Sequence, residues 1–187
     1  MSGPPSLNLQ ITSEYEEKFY DSFGDNTSVS FYRPKVSGKV CMLGDHAQAL
    51  AHSPGAVGST VVAEDDAELL AAPRDYTKVW STGGGGSGPF SIWAPLAPSG
   101  YVSLGCVASQ EKPSLDQMRC VRWDVVSEVA PGPFIYYAVA SGPVTVYQVP
   151  GLGTFQAQAS IPVDLAEEGS SYKATPASVQ TWVPKNL

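Results

Sequence analysis

The sequence predicts an all-β fold made of three related units, and three observations carry that prediction. Short runs rich in Val, Ile, Phe, Tyr, Trp and Thr alternate with Gly, Pro, Ser and Asn, the punctuation of strands and turns. Two blocks recur at one spacing: Ser30-Phe31-Tyr32 precedes Ser91-Ile92-Trp93 by 61 residues, and Leu43-Gly44 precedes Leu104-Gly105 by 61. Gly and Pro, at 18 and 16 of 187 residues, exceed their usual share without forming a collagen-like tract, as many tight turns require.

The first unit, about 8–65, opens with Tyr15–Tyr20, turns through Gly24-Asp25-Asn26 and continues in Val29–Pro34. Ser37–Gly44 and Thr60–Ala63 supply its other two strands. The middle unit, about 66–127, has Tyr76–Trp80, a glycine-rich turn at Gly83–Gly88, then Phe90–Pro95, Ser99–Gly105 and Arg119–Val126. In it Val102, Leu104 and Cys106 alternate with Ser103 and Gly105, the period-2 pattern of a half-buried strand. The third unit, about 128–187, is fainter: Phe134–Val139, Val144–Tyr147, Gly153–Ala157 and Ser178–Val183, with a shorter turn and no Leu-Gly pair. Asp45–Leu50 and Asp65–Ala72 alone have helical flavour, enough for one short turn each. Twelve strands in three pseudo-symmetric four-stranded units predict a β-prism-like single domain over 1–187, with a β-sandwich or a β-trefoil as alternatives.

Composition excludes several function classes. Hydrophobic residues at 43% and charged residues at 16% belong to a folded chain. A net charge of −7 without a Lys/Arg cluster opposes nucleic acid and anionic lipid as partners, and leaves carbohydrate, neutral lipid head groups and protein. No apolar run approaches the ~18–20 residues of a transmembrane segment. The start lacks signal-peptide character, which points to the cytoplasm or to leaderless export. Cys41, Cys106 and Cys120 are odd in number and lack CxxC, so they read as reduced thiols on strands, with neither disulfides nor structural zinc.

The motif Gly86-Ser87-Gly88, Ser91-Ile92-Trp93-Ala94-Pro95, Gly100-Tyr101-Val102-Ser103-Leu104-Gly105, Lys112-Pro113-Ser114-Leu115 and then Met118–Arg122 resembles the vacuolar protein sorting-associated protein 62 family, a domain of unknown function. Similar blocks occur in the adaptor-binding region of vacuolar protein sorting protein 13. The resemblance implies a non-enzymatic binding module, and the family name a trafficking role. The family usually has Arg before the proline and Leu-Gly-Asp after the bend. Arg33-Pro34 and Leu43-Gly44-Asp45 keep both, whereas Ala94-Pro95 and Leu104-Gly105-Cys106 depart from them, and the Asp expected just after Trp80 is missing.

Candidate chemistry is sparse. Gly83–Gly88 ends in Pro89 and enters a strand, so it lacks the Lys and the helix N-terminus of a phosphate loop. As a binding turn, Gly84, Gly85 and Ser87 would let backbone N–H groups approach a ligand beside Trp80, and Asp25 and Asn26 at the matching turn would add polar contacts. Carbohydrate sites of β-prism lectins resemble that arrangement. Asp45-His46 and His52-Ser53 do not form a dyad or a metal site, because neighbours on a strand face opposite ways and no H-E-x-x-H exists. Asp45 instead suits a buried carboxylate bound to backbone or to Arg33, and is kept as a candidate ligand contact. Glu64–Glu68 lacks calcium-loop spacing and reads as a solvated turn. Trp80, Trp93, Tyr101, Trp123, Tyr136 and Tyr147 recur at equivalent positions and are expected mostly in the core. No catalytic residue, cofactor or metal is expected. The prediction is a recognition module for carbohydrate or polar lipid head groups, or alternatively a protein-interaction adaptor.

Overall fold

The computed structural model describes residues 3–23, 27–49, 57–82, 87–132, 134–138, 142–160 and 179–187. All twelve expected strands form. They are β2 (Tyr15–Phe23), β3 (Thr27–Pro34), β4 (Val40–Met42), β6 (Thr60–Glu64), β8 (Asp75–Thr82), β9 (Phe90–Leu96), β10 (Tyr101–Val102), β12 (Cys120–Arg122), β14 (Phe134–Ala138), β15 (Val144–Gln148), β16 (Phe155–Gln158) and β17 (Thr181–Pro184). Five more strands join them: β1 (Leu9–Thr12), β5 (His46–Ala49), β7 (Leu70–Ala71), β11 (Val107–Ser109) and β13 (Val126–Val129). A 3-10 turn covers Trp123–Val125. Among the described residues no helix is long and apolar enough to cross a membrane.

These strands do not build three four-stranded sheets. Among the described residues they form six sheets, five of three strands and one of two, all antiparallel, with no closed barrel. Three contain the hairpins: β2-β3-β5, β8-β9-β11 and β14-β15-β16. The other three are β1-β6-β4, β10-β12-β7 and β13-β17. The stretch Asp45–Leu50, read as a possible helical turn, instead supplies β5, because Tyr32 pairs with His46 and Val29 with Ala49.

The extra sheets arise where the chain passes from one sheet to another between neighbouring strands. Ser99–Gly105 pairs only at Tyr101 and Val102, against Arg122 and Val121. The chain then leaves that sheet at Gly105 and resumes as β11 against β9, with Val107 opposite Trp93. Glycine at this crossing has a steric reason. A Cβ on Gly105 would stand 2.9 Å from Thr154 Cβ and 3.2 Å from Gly44 Cα, and one on Gly44 would stand 2.9 Å from Gly105 Cα. Three backbones therefore meet with room for one side chain. The Asp45 N–H donates to Cys106 O at 2.9 Å and the Cys106 N–H to Phe155 O at 2.8 Å, and His46 bridges Thr154.

That layer separates two cores. Phe19, Phe31, Trp80, Phe90, Tyr136 and Phe155 fill the space between the hairpin sheets. Leu43, Val61, Leu70, Leu104, Val121 and Leu152 fill the space between the other three. A smaller cluster of Met42, Tyr76, Trp93, Val107 and Met118 holds the segment before β12. One backbone contact recurs three times at 2.9 Å in the second set: Glu64 N–H to Asn8 O, Arg122 N–H to Leu69 O, and Lys185 N–H to Val125 O. Among the described residues the last of these sheets has no third strand beside β17, and only six residues link β15 to β16. The Lys185–Val125 bond also leaves Pro184 at a position that makes no ladder bond to β13, where a missing N–H costs nothing.

Candidate functional site

Hairpin geometry sets where the predicted turns lie. Phe23 pairs with Thr27 and Thr82 with Phe90, so the β2-β3 and β8-β9 ladders run up to the residues that flank the predicted turns. Asp25, Asn26, Gly84 and Gly85 lie outside the described residues. Ser87 ties the two hairpins together. Its N–H donates to Tyr20 O at 3.1 Å, and its hydroxyl accepts from Tyr20 N–H at 3.0 Å. Ser87, which precedes β9, is thus fixed against β2.

Trp80, beneath that end, is buried and packs edge-on against Phe90 and Tyr136, with centroids 6.2 and 6.4 Å apart. Its indole N–H finds no acceptor among the described residues. Beside it, the Tyr136 hydroxyl donates to Asp21 Oδ2 at 3.1 Å, and both side chains are buried. Burial raises the Tyr136 phenol, and the neighbouring Asp21 carboxylate raises it further, so Tyr136 remains a neutral donor.

Asp45 is buried and fully engaged. Arg33 Nε and an Arg33 terminal nitrogen reach its two oxygens, each at 3.2 Å, and Ala108 N–H donates to Oδ2 at 2.8 Å. Arg33 also donates to Ala108 O at 2.7 Å. The pair stitches β3 of one hairpin sheet to β11 of the next. His46 turns the other way, with Nδ1 2.7 Å from Gly153 O and Nε2 2.9 Å from Gln48 Oε1. Asp45 and His46 therefore share no site, and His52-Ser53 lies outside the described residues.

The expected core aromatics divide. Trp80, Trp93, Tyr136 and Tyr147 are buried and Tyr101 is half-buried, but Trp123 is 61% exposed because it heads the 3-10 turn outside both cores. Trp93 donates its indole N–H to Ser109 O at 3.3 Å, with Lys78 Nζ 5.1 Å from its ring centroid. The cysteines are free. Cys41 and Cys120 sit on β4 and β12, whereas Cys106 sits at the crossing just before β11. Burial pushes the Cys41 thiol up to about 11 and those of Cys106 and Cys120 up to about 12, which removes thiolate chemistry at neutral pH. Among the described residues no group of three His, Cys, Asp or Glu could hold a metal ion.

Sequence reasoning missed one feature. An open groove of about 340 Å³ runs along the seam between β5 and β14, lined by His46, Gln48, Gly58, Phe134, Ile135 and Gln148 among others. Its walls come from segments up to 102 residues apart, so no local motif could announce it.

Comparison with known proteins agrees with this all-β fold. The family model described as vacuolar protein sorting-associated protein 62 matches residues 8–154. Among solved structures, the chain is similar to the crystal structure of GNIP1Aa from Chromobacterium piscinae, with a TM-score of 0.64 and 21% identity. That match covers 81% of this chain and 33% of the other, so this chain spans about a third of that protein's length. At such identity the likeness is one of fold. No curated protein matches the chain. The motifs from Gly86 to Arg122, the Arg33-Pro34 and Leu43-Gly44-Asp45 blocks and a family match over most of the chain lead to one assignment: the chain belongs to the vacuolar protein sorting-associated protein 62 family.

Proposed function

We propose that this chain is a non-catalytic recognition module that binds carbohydrate or polar lipid head groups through the hairpin turns at one end of a prism-like arrangement of three units. The observation that carries the reading is the Ser87–Tyr20 pair of hydrogen bonds. It ties Ser87 to the strand that precedes Asp25 and Asn26 in the chain, and in this reading the backbone donors of the glycine-rich connection and the carboxylate and amide of the other turn meet one ligand. The thrice-repeated bond ending at Glu64, Arg122 and Lys185 supports the three-unit arrangement. In this reading Ser87 positions the turn, Gly84, Gly85, Asp25 and Asn26 meet the ligand, and Trp80 and Asp45 hold the scaffold from within.

A glycan array and a pull-down on neutral phosphatidylcholine vesicles test the proposal. Binding in either one that is lost in Asp25→Ala/Asn26→Ala supports it. Silence in both with folded protein removes it. A second reading, a protein-interaction adaptor acting in the cytoplasm, is favoured by one observation: Trp123, a large aromatic, stands 61% exposed beside the Arg122–Asp124 ion pair. Capture of a specific partner by the native chain but not by Trp123→Ala would favour it.

A further inference from the structure

The groove between β5 and β14 has unspent hydrogen-bonding capacity on a rigid floor. Gly58 N–H donates to Gln48 Oε1 at 3.1 Å, and the same oxygen lies 2.9 Å from His46 Nε2. With its oxygen accepting from Gly58 N–H, Gln48 keeps an NH₂ that has no acceptor among the described residues. Gly58 is pinned from the other side, its carbonyl accepting from the Tyr15 hydroxyl at 2.5 Å. Across the groove, the main chain of Gln148 is committed, accepting from Gly132 N–H and pairing with Phe155, while its side-chain amide has no partner among the described residues. Phe134 stands 46% exposed at the start of β14, braced edge-on by Tyr137 with centroids 6.0 Å apart.

We infer that this groove is a second binding site, for the ring of a neutral sugar. Its lining among the described residues contains no Asp, Glu, Lys or Arg, so a charged ligand would find no counter-charge. Two side-chain amides can each donate to and accept from hydroxyl groups, and an exposed aromatic face suits the C–H face of a pyranose. The volume of about 340 Å³ falls at the small end of ligand pockets, roughly 300–1,000 Å³. An extended peptide fits less well, because the edge of β5 is four residues long and its first residue, His46, is already bridged to Thr154. Phe134 lies at the far end of β14 from the hairpin turn that follows Ala138, so this site is separate from the turn-end site and does not rest on it.

Saturation-transfer NMR with the methyl glycosides of mannose, glucose, galactose and N-acetylglucosamine, each at millimolar concentration, tests the inference. At least one should bind the native chain, and Phe134→Ala/Gln148→Ala should weaken it at least tenfold while Asp25→Ala/Asn26→Ala leaves it unchanged. Should the double variant fail to fold, the side-chain NH₂ resonances of Gln48 and Gln148 in the ¹⁵N-labelled native chain give an independent reading, since both must shift on titration. The inference is overturned by silence from all four glycosides, by binding that survives in the folded double variant, or by unmoved amide resonances. Sugar binding lost only in the turn variant would also overturn it, while supporting the turn-end reading.

Discussion

Removing Arg33 should be among the costliest single changes in this chain. The guanidinium meets both oxygens of Asp45 at 3.2 Å and Ala108 O at 2.7 Å, and both side chains are more than nine-tenths buried. Arg33→Ala leaves the Asp45 carboxylate in the interior without its cation, while Ala108 N–H still donates to it. Breaking one side of such a pair costs about 3–5 kcal/mol, a large part of a typical stability of roughly 5–15 kcal/mol. The sequence contains its own control: 61 residues on, the matching positions carry Ala94 and Cys106, an uncharged pair. The double change Arg33→Ala/Asp45→Cys removes the stranded charge, so it should destabilise by less than Arg33→Ala alone. What remains is the cavity and the unsatisfied Ala108 N–H, about 1–3 kcal/mol. Urea unfolding followed by tryptophan fluorescence measures both variants, and burial makes the result nearly independent of salt. If Arg33→Ala cost less than about 1 kcal/mol, or if the double variant lost the sum of the two singles, the charge-stranding argument would be wrong.

Three other outcomes are expected. The buried thiols should react slowly with a thiol reagent at pH 8 and fully in denaturant. Because the folded values of Cys106 and Cys120 are raised from 9.0 to about 12, their stabilisation is intact below pH 9 and is lost as pH climbs toward 12, at about 1.4 kcal/mol per pH unit for each thiol; urea midpoints from pH 8 to 11 should fall accordingly. Gly105→Ala should cost about 1–3 kcal/mol by overpacking against Thr154 and Gly44, whereas Ala at Gly100, with open space around it but φ at +84°, should show only the backbone penalty of about 1 kcal/mol; thermal melts compare the two. Trp123→Phe should change stability by less than about 0.5 kcal/mol yet remove much of the iodide-quenchable fluorescence, since Trp80 and Trp93 are buried.

Every strand that carries a β-branched or aromatic run was legible in the sequence. The five that were not have the sequences LQIT, HAQA, LA, VAS and VSEV, short and mostly polar or small. Each lies at a sheet edge, where one neighbour suffices and local propensity says little. The 61-residue spacing exposed the repetition, but the split into two tiers depends on what approaches Gly44 and Gly105, and contact across the molecule has no local signature. The Arg33–Asp45 bond was foreseeable from two polar residues in otherwise apolar blocks. Nothing comparable linked Gln48 to Gln148, and Trp123 matched the buried aromatics in type while facing solvent.

The meeting of Gly44, Gly105 and Thr154 sets a limit on how alike the repeats can become. Three glycines would leave a hole where the Thr154 side chain now sits, and three threonines could not approach one another as these backbones do. Thr154 also donates its hydroxyl to Leu104 O at 2.7 Å, a bond that glycine cannot make. A chain built from three identical copies of any one repeat would therefore pack worse at its centre than this one. Divergence at that position is a requirement of the architecture, and a designer wanting perfect threefold repetition would have to re-space the backbones first.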